Sequence, residues 1–245
     1  MRVSLAAAEI LNGDVSHNLA AMERAARLAK KEGADLCCFG ECVLQGFDCL
    51  TWNFSADGTT AVSTDSDVFR YILSVSREIG IDLLFGFIER DGEALYSSCA
   101  LVRAGELLHL YRRISKGWKN FRRTDSHYRE GSGPAVFEYR GFRCLIALCG
   151  DLWDETAGVF PRDADLLFWP VYVCYTPEEW ETGEAESYAQ KAAEICPRTL
   201  LVNSVCRAGK SADAFDAWGG AAFFADGSVR ASLPMGAEGI LTVDE

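Results

Sequence analysis

Histidine is scarce in this chain of 245 residues, with only His17, His109 and His127. His17 falls at a helix start and His109 in a strand, so a cysteine–histidine catalytic pair has only His127 to draw on. Excess positive charge is also missing. The formal charge of −12 argues against nucleic acid or an anionic membrane as partner, because both need a basic face to displace counterions. No uncharged apolar stretch is long enough to span a bilayer. The opening residues, 1–9, break their apolar run at Glu9, which suits a first strand better than a signal peptide. Ten cysteines occur without any C-x-x-C pair, a usage that fits reduced thiols in a cytoplasmic protein rather than a disulfide framework. Internal repeats, low-complexity linkers and composition breaks are absent as well. With 49% hydrophobic residues, residues 1–245 are expected to form a single domain around one substantial core.

What is present is an alternation of strand and helix patterns. Strand-like residues 3–10 are followed by the N-cap Asp14 and by Leu19, Met22, Ala26 and Ala29 at helical spacing, until Gly33 ends the pattern. Residues 34–40 read as a buried strand delivering Glu41 to its carboxyl end, where α/β sheets place their chemistry. A second helix capped by Thr64 runs to Gly80, and residues 81–88, 94–102 and 106–114 read as strands, the later ones joined by tight turns. Residues 115–133 are different. They hold Lys116, Lys119, Arg122, Arg123, His127 and Arg129, just after Arg113, and read as a long functional loop. Strands at 135–139 and 142–148 follow, then a buried strand at 165–170 stopped by Pro170. Thr176-Pro177 starts a helix reaching about Cys196. Residues 199–205 form the next strand, and 219–224, 228–233 and 239–243 a closing meander.

The apolar run from Phe142 to Leu148 stops abruptly at Cys149-Gly150-Asp151. That pattern reads as a strand delivering a thiol to a sharp turn, with the Gly150 N–H free to bond an oxygen that becomes negative during acyl transfer. Cys149 taken alone reads more readily as a small core residue. A thiol attacks a carbonyl or nitrile carbon only as thiolate, so it needs a proton acceptor and a cation or dipole nearby. Glu41 and a lysine of the basic loop would supply them.

Phe39-Gly40-Glu41-Cys42-Val43-Leu44-Gln45-Gly46-Phe47 resembles the general-base block of the nitrilase superfamily, the carbon–nitrogen hydrolases with a Glu-Lys-Cys triad, where the block is usually Phe-Pro-Glu followed by a Gly-Tyr pair. Gly40 replaces the proline. Ile146-Ala147-Leu148-Cys149-Gly150-Asp151-Leu152 resembles the nucleophile block, with Trp153 in place of the usual arginine. The similarity extends through residues 164–170, 189–204 and the turn Asp226-Gly227, and so covers nearly the whole chain. It implies an α/β fold, the α-β-β-α four-layer sandwich in which two mixed β-sheets pack face to face with helices outside. It implies hydrolysis of small non-peptide amide, carbamoyl or nitrile bonds through an acyl-thioester on Cys149, with Glu41 as base and Gly150 at the oxyanion. No metal or organic cofactor is implied. The expected partners are a small amide-type substrate and water, within a homodimer or higher homo-oligomer.

The triad lysine is the open position. The family's Tyr-Arg-Lys is matched by Tyr111-Arg112-Arg113, so a gap-free register puts Arg113 where the lysine belongs, and arginine is a cation but not a proton shuttle. Lys116 and Lys119 are the candidates for bringing an ammonium back after the Gly117 turn, with Lys119 preferred. Asp125 and Glu130 are candidates for the acidic residue that relatives place near the lysine, and Trp153, Tyr172 and Trp180 are candidates for the pocket wall. Two other classes stay open: a catalytically impaired binding or scaffold protein on this fold, and a zinc protein built on Cys37, Cys38, Cys42 and Cys49. Adjacent strand cysteines point to opposite faces, which counts against the latter. The loops at 50–65, 115–133 and 171–182 would select the substrate.

Overall fold

The computed structural model describes residues 1–207 and 216–245, with residues 154 and 155 described by backbone alone. Strand β1 (Arg2–Ala7) and the short β2 (Glu9–Ile10) lead into α1 (Val15–Lys31), where the Asp14 side chain caps the helix by accepting the His17 N–H. β3 (Leu36–Phe39) returns parallel to β1. After α2 (Phe54–Thr60) and α3 (Asp67–Ile79) come β4 (Asp82–Asp91), β5 (Ala94–Arg103) and β6 (Glu106–Arg112), an antiparallel ladder joined by tight turns. β7 (Phe137–Tyr139), β8 (Phe142–Ile146) and β9 (Leu166–Val171) begin a second sheet. The short α4 (Pro177–Glu179) and α5 (Ala185–Ala193) lead to β10 (Arg198–Asn203). β11 (Val205–Cys206), β12 (Ala217–Trp218), β13 (Ala221–Ala225), β14 (Ser228–Leu233) and β15 (Gly239–Asp244) complete the order.

The strands form two six-stranded sheets, β15-β1-β3-β4-β5-β6 and β14-β13-β10-β9-β8-β7, with a small third sheet β12-β11-β2. The period-two alternation of strand side chains makes the layers. Val3, Leu5, Leu36, Cys38, Leu84 and Leu101 face Leu145, Leu167 and Leu201 of the second sheet. Their neighbours Ala6, Cys37, Phe39, Leu83, Phe85 and Phe87 face Met22 and Ala26 of α1 and Phe69 and Ile72 of α3. On the far side, α5 lays Tyr188, Ala189 and Ala192 on the second sheet. This is the expected α-β-β-α sandwich, and it brings the carboxyl ends of β3 and β8 to one edge.

The structure departs from the sequence reading in several places. The helix after residue 64 is capped by Ser66, whose side chain accepts the Phe69 N–H, not by Thr64. Pro170 lies inside β9 rather than ending it. The last pairing of β9 with β8 is at Phe168, so at Pro170 only the β10 neighbour remains and the missing N–H breaks no second ladder. The 176–196 helix starts at the expected N-cap Thr176, which forms a capping box with Glu179, but is interrupted at Gly183 and stops at Ala193. The closing meander is broken too, since β15 crosses to pair with β1 in the first sheet. Among the described residues no helix is long and apolar enough to cross a membrane.

Candidate active site

β8 ends at Ile146, and Cys149 opens a single tight turn, Cys149–Leu152, with φ of +40°. A non-glycine residue in this left-handed region costs about 1–3 kcal/mol and persists only where its surroundings fix it. Here the Trp169 indole N–H donates to the Cys149 carbonyl at 2.9 Å, and the Asp151 carboxylate accepts the Leu148 N–H at 2.9 Å. The thiol itself is half-buried and directed at the Tyr172 carbonyl, 3.7 Å away.

Glu41 stands fully buried just beyond β3. Its approach depends on two glycines. A Cβ at Gly40 would meet the Ser204 backbone nitrogen at 2.8 Å, and one at Gly86 of β4 would meet the Glu41 Cα at 2.6 Å. The Ser97 hydroxyl donates to Glu41 Oε1 at 2.7 Å, and Arg113 Nη1 donates to both carboxylate oxygens at 3.0 and 3.2 Å. Arg113 is itself buried, and its Nε donates to the Ser115 hydroxyl at 2.7 Å. The remaining Nη2 faces the nucleophile turn, only 2.7 Å from where a Cβ on Gly150 would sit. The sequence Cys-Gly therefore leaves room for a guanidinium against the backbone next to the nucleophile.

Burial pushes the Glu41 carboxyl above its ordinary value, opposed by the Arg113 charge and the Ser97 hydrogen bond. Burial alone would lower the Arg113 guanidinium, but the charges of Glu41, Cys149 and Asp151 outweigh it and hold the group protonated. The Cys149 thiol is pushed up to about 11, mainly by burial, with Arg113 pulling it down and Glu41 raising it. A resting thiol, a buried carboxylate and a fixed cation thus act on one another at the edge where the two sheets meet.

The family profile described as carbon-nitrogen hydrolase matches residues 2–244. The chain belongs to the carbon–nitrogen hydrolase family. Among its relatives, the glutamine-dependent NAD(+) synthetase of Thermotoga maritima is 28% identical over 157 residues, 63% of this chain and 26% of that protein. The N-carbamoylputrescine amidase of Arabidopsis thaliana is 23% identical over 170 residues, 68% of this chain and 57% of that protein. The chain therefore spans a quarter to just over half of these relatives. Among solved structures, a variant of the amidase from Nesterenkonia sp. AN1, with acrylamide added at its active-site cysteine, superposes with a TM-score of 0.79 at 21% identity. That match covers 100% of this chain and 93% of the other and shows the shared fold.

Within this carbon–nitrogen hydrolase fold, the preferred lysine lies elsewhere. Lys119 Nζ donates to the Tyr128 carbonyl at 2.6 Å and pairs with Glu130 at 2.7 Å, so Glu130 orients a loop lysine rather than a group beside Glu41. Lys116 is exposed in the turn Lys116–Trp118. The group against Glu41 is Arg113, and the reason is strand register. The Arg113 N–H continues the β5–β6 ladder by bonding the Ser97 carbonyl at 2.8 Å. Tyr111 and Arg113 then face inward, while Arg112 faces out to Glu89 and Asp91. Asp125 is exposed and bonded to His127. Trp153 lines a cleft of about 900 Å³ with Arg113, Lys116, Phe121 and Gly150. Tyr172 offers its carbonyl to the thiol while its ring packs on Phe47, and Trp180 is buried behind the site against Tyr188. The zinc alternative has no ligand group among the described residues. Cys37 faces the helices and Cys38 the space between the sheets.

Sequence reasoning missed Ser97, Ser115 and Tyr111, which hold Glu41, Arg113 and Asp151. The available signal was the two-residue alternation Tyr111, Arg113, Ser115 leading out of β6. It also missed Asp57, which accepts from the Thr51 and Trp52 N–H groups and from the Tyr128 hydroxyl, tying the 50–65 loop to the 115–133 loop. Nothing local distinguishes Asp57 from a solvated helix acid.

Proposed function

We propose that this protein is a thiol-dependent hydrolase of small amide-type bonds in which Arg113 takes the place of the triad lysine. The observation that carries the reading is the Arg113 guanidinium itself, with Nη1 on the buried Glu41 and Nη2 turned to the Cys149–Gly150 turn. Glu41 accepts the thiol proton as Sγ bonds to the amide carbon and the carbonyl electrons move to oxygen. Arg113 Nη2 and the Gly150 N–H stabilise that oxyanion. Collapse breaks the carbon–nitrogen bond, and Glu41 returns its proton to the leaving nitrogen, leaving an acyl-thioester. Water then attacks the acyl carbon while giving a proton to Glu41, and the acid departs as that proton returns to sulfur. Every proton passes through Glu41, so a guanidinium that cannot release one is adequate as the cation. Relatives named as glutamine-dependent or as N-carbamoylputrescine amidase support an amide-type substrate.

The test is intact-protein mass spectrometry after incubation with a panel of small amides. An acyl mass increase on the wild type, lost in Cys149→Ser, is the expected result. A second reading, a binding or scaffold protein on this fold, is favoured by the same substitution of arginine for lysine. It gains the field if no amide leaves an adduct or releases ammonia or amine while one of them still binds.

A further inference from the structure

The carboxylate of Asp151 is completely buried and accepts four hydrogen bonds. Oδ1 takes the backbone N–H groups of Ile114 at 3.1 Å and Ser115 at 2.8 Å. Oδ2 takes the Leu148 N–H at 2.9 Å and the Tyr111 hydroxyl at 2.7 Å. These donors are not a random set. Tyr111, Ile114 and Ser115 bracket Arg113 on the strand end of the first sheet, whereas Leu148 and Asp151 bracket Cys149 on the strand end of the second. One side chain therefore joins the two backbones that carry the cation and the nucleophile. Through Ser115 the chain of contacts reaches the guanidinium directly, since the Ser115 hydroxyl accepts from Arg113 Nε, and Arg113 Nη1 continues to Glu41.

We propose that Asp151 is a positioning residue that sets the separation between the Arg113 guanidinium and the Cys149 thiol by tying together the strand ends that carry them. Four acceptor sites on a planar carboxylate suit this task. A neutral amide in the same place is wrong whichever way it turns, because its NH₂ faces either the Ile114 and Ser115 N–H groups or the Leu148 N–H. Of the charges that reach the thiol, Arg113 lowers the cost of forming thiolate, while Glu41 and Asp151 itself raise it. A loosened tether lets the guanidinium drift from the sulfur, and thiolate formation becomes harder.

The inference takes from the proposed function only that Cys149 is the reactive thiol, and its test needs no turnover. Alkylation by iodoacetamide, read at Cys149 by peptide mass across neutral to alkaline pH, gives the thiol's titration. Removing the negative charge of Asp151 by itself lowers the thiol's titration, so the expected move of the inflection to higher pH in Asp151→Asn reports the guanidinium's drift, and the neutral-pH rate falls by about tenfold for each unit of movement. In an Arg113→Ala background the guanidinium it positions is gone, and the same substitution leaves the inflection in place or moves it to lower pH. A loss of thermal stability with the Cys149 profile unmoved or lowered, or an equal shift with and without Arg113, overturns the proposal. Should Asp151→Asn fail to fold, Tyr111→Phe removes one of the four bonds and is put through the same cycle. A smaller upward shift that depends on Arg113 is expected, and no shift overturns it. Wild type that hydrolyses no amide yet shows the Arg113-dependent shift removes the hydrolase reading and leaves this one standing.

Discussion

At the scale of single residues, the candidate site places a guanidinium beside Glu41 where the family resemblance implies an ammonium. Removing one donor to a developing oxyanion typically lowers turnover by about 10²–10³, and Arg113→Ala is expected to fall in that range. Arg113→Lys keeps the charge but cannot span Glu41 and the Gly150 turn at once, so its turnover lies between wild type and alanine. Lys116→Ala leaves turnover unchanged and stability within about 0.5 kcal/mol. Lys119→Ala keeps turnover but loses stability, because Glu130 is left without its ion-pair partner. Steady-state rates on any amide acylating Cys149 check all four, and a lysine variant as damaged as Arg113→Ala would remove Arg113 from its assigned role. The strand-end placement of Glu41 and Cys149 was legible because each follows an apolar strand within a short, chemically distinctive block. Arg113 was legible only as a register. The chemistry expected of a lysine weighed against the gap-free spacing, and strand alternation, a purely geometric rule, decided between them.

Among the elements, β4 is the one whose sequence the site constrains most tightly. Gly86 lies on a strand with an apolar pattern, where glycine costs stability for want of a side chain. The structure accounts for it, since its α-carbon faces Glu41 and Cys42 backbone at distances no Cβ tolerates. Gly86→Ala is expected to destabilise the protein by about 1–3 kcal/mol, as overpacking does. It should also slow Cys149 acylation, because Glu41 must retreat from Ser97 and Arg113. Thermal melts and acylation rates together test this, and a loss of stability without a slower acylation would place the contact outside the site. Helix α1, the β4–β5–β6 ladder and the capped start of α4 were readable from periodicity and cap residues. The return of β15 to the first sheet was not, since pairing β1 with β15 joins opposite ends of the chain and leaves no local trace.

On the scale of the whole molecule, the cysteines share one physical property. All ten are free, and every thiol is raised above its ordinary value, burial being the largest cause in each case. Cys37, Cys38, Cys42, Cys99, Cys144, Cys196 and Cys206 are buried within the packed layers. A group whose folded value lies above its unfolded value stabilises the fold fully below the unfolded value. That contribution is lost as pH climbs through the folded one. As pH rises past the ordinary thiol range near 9, unfolded chains release these protons while the folded protein keeps them. Each such thiol then weakens the folding equilibrium by about tenfold per pH unit. Urea midpoints measured from neutral to strongly alkaline pH should therefore fall steeply once the thiol range is passed. Replacing Cys37 with alanine lowers stability at neutral pH by opening a small cavity, yet it makes the alkaline decline shallower by one proton. If the decline in Cys37→Ala runs parallel to that of the wild type, the buried thiols are not its cause.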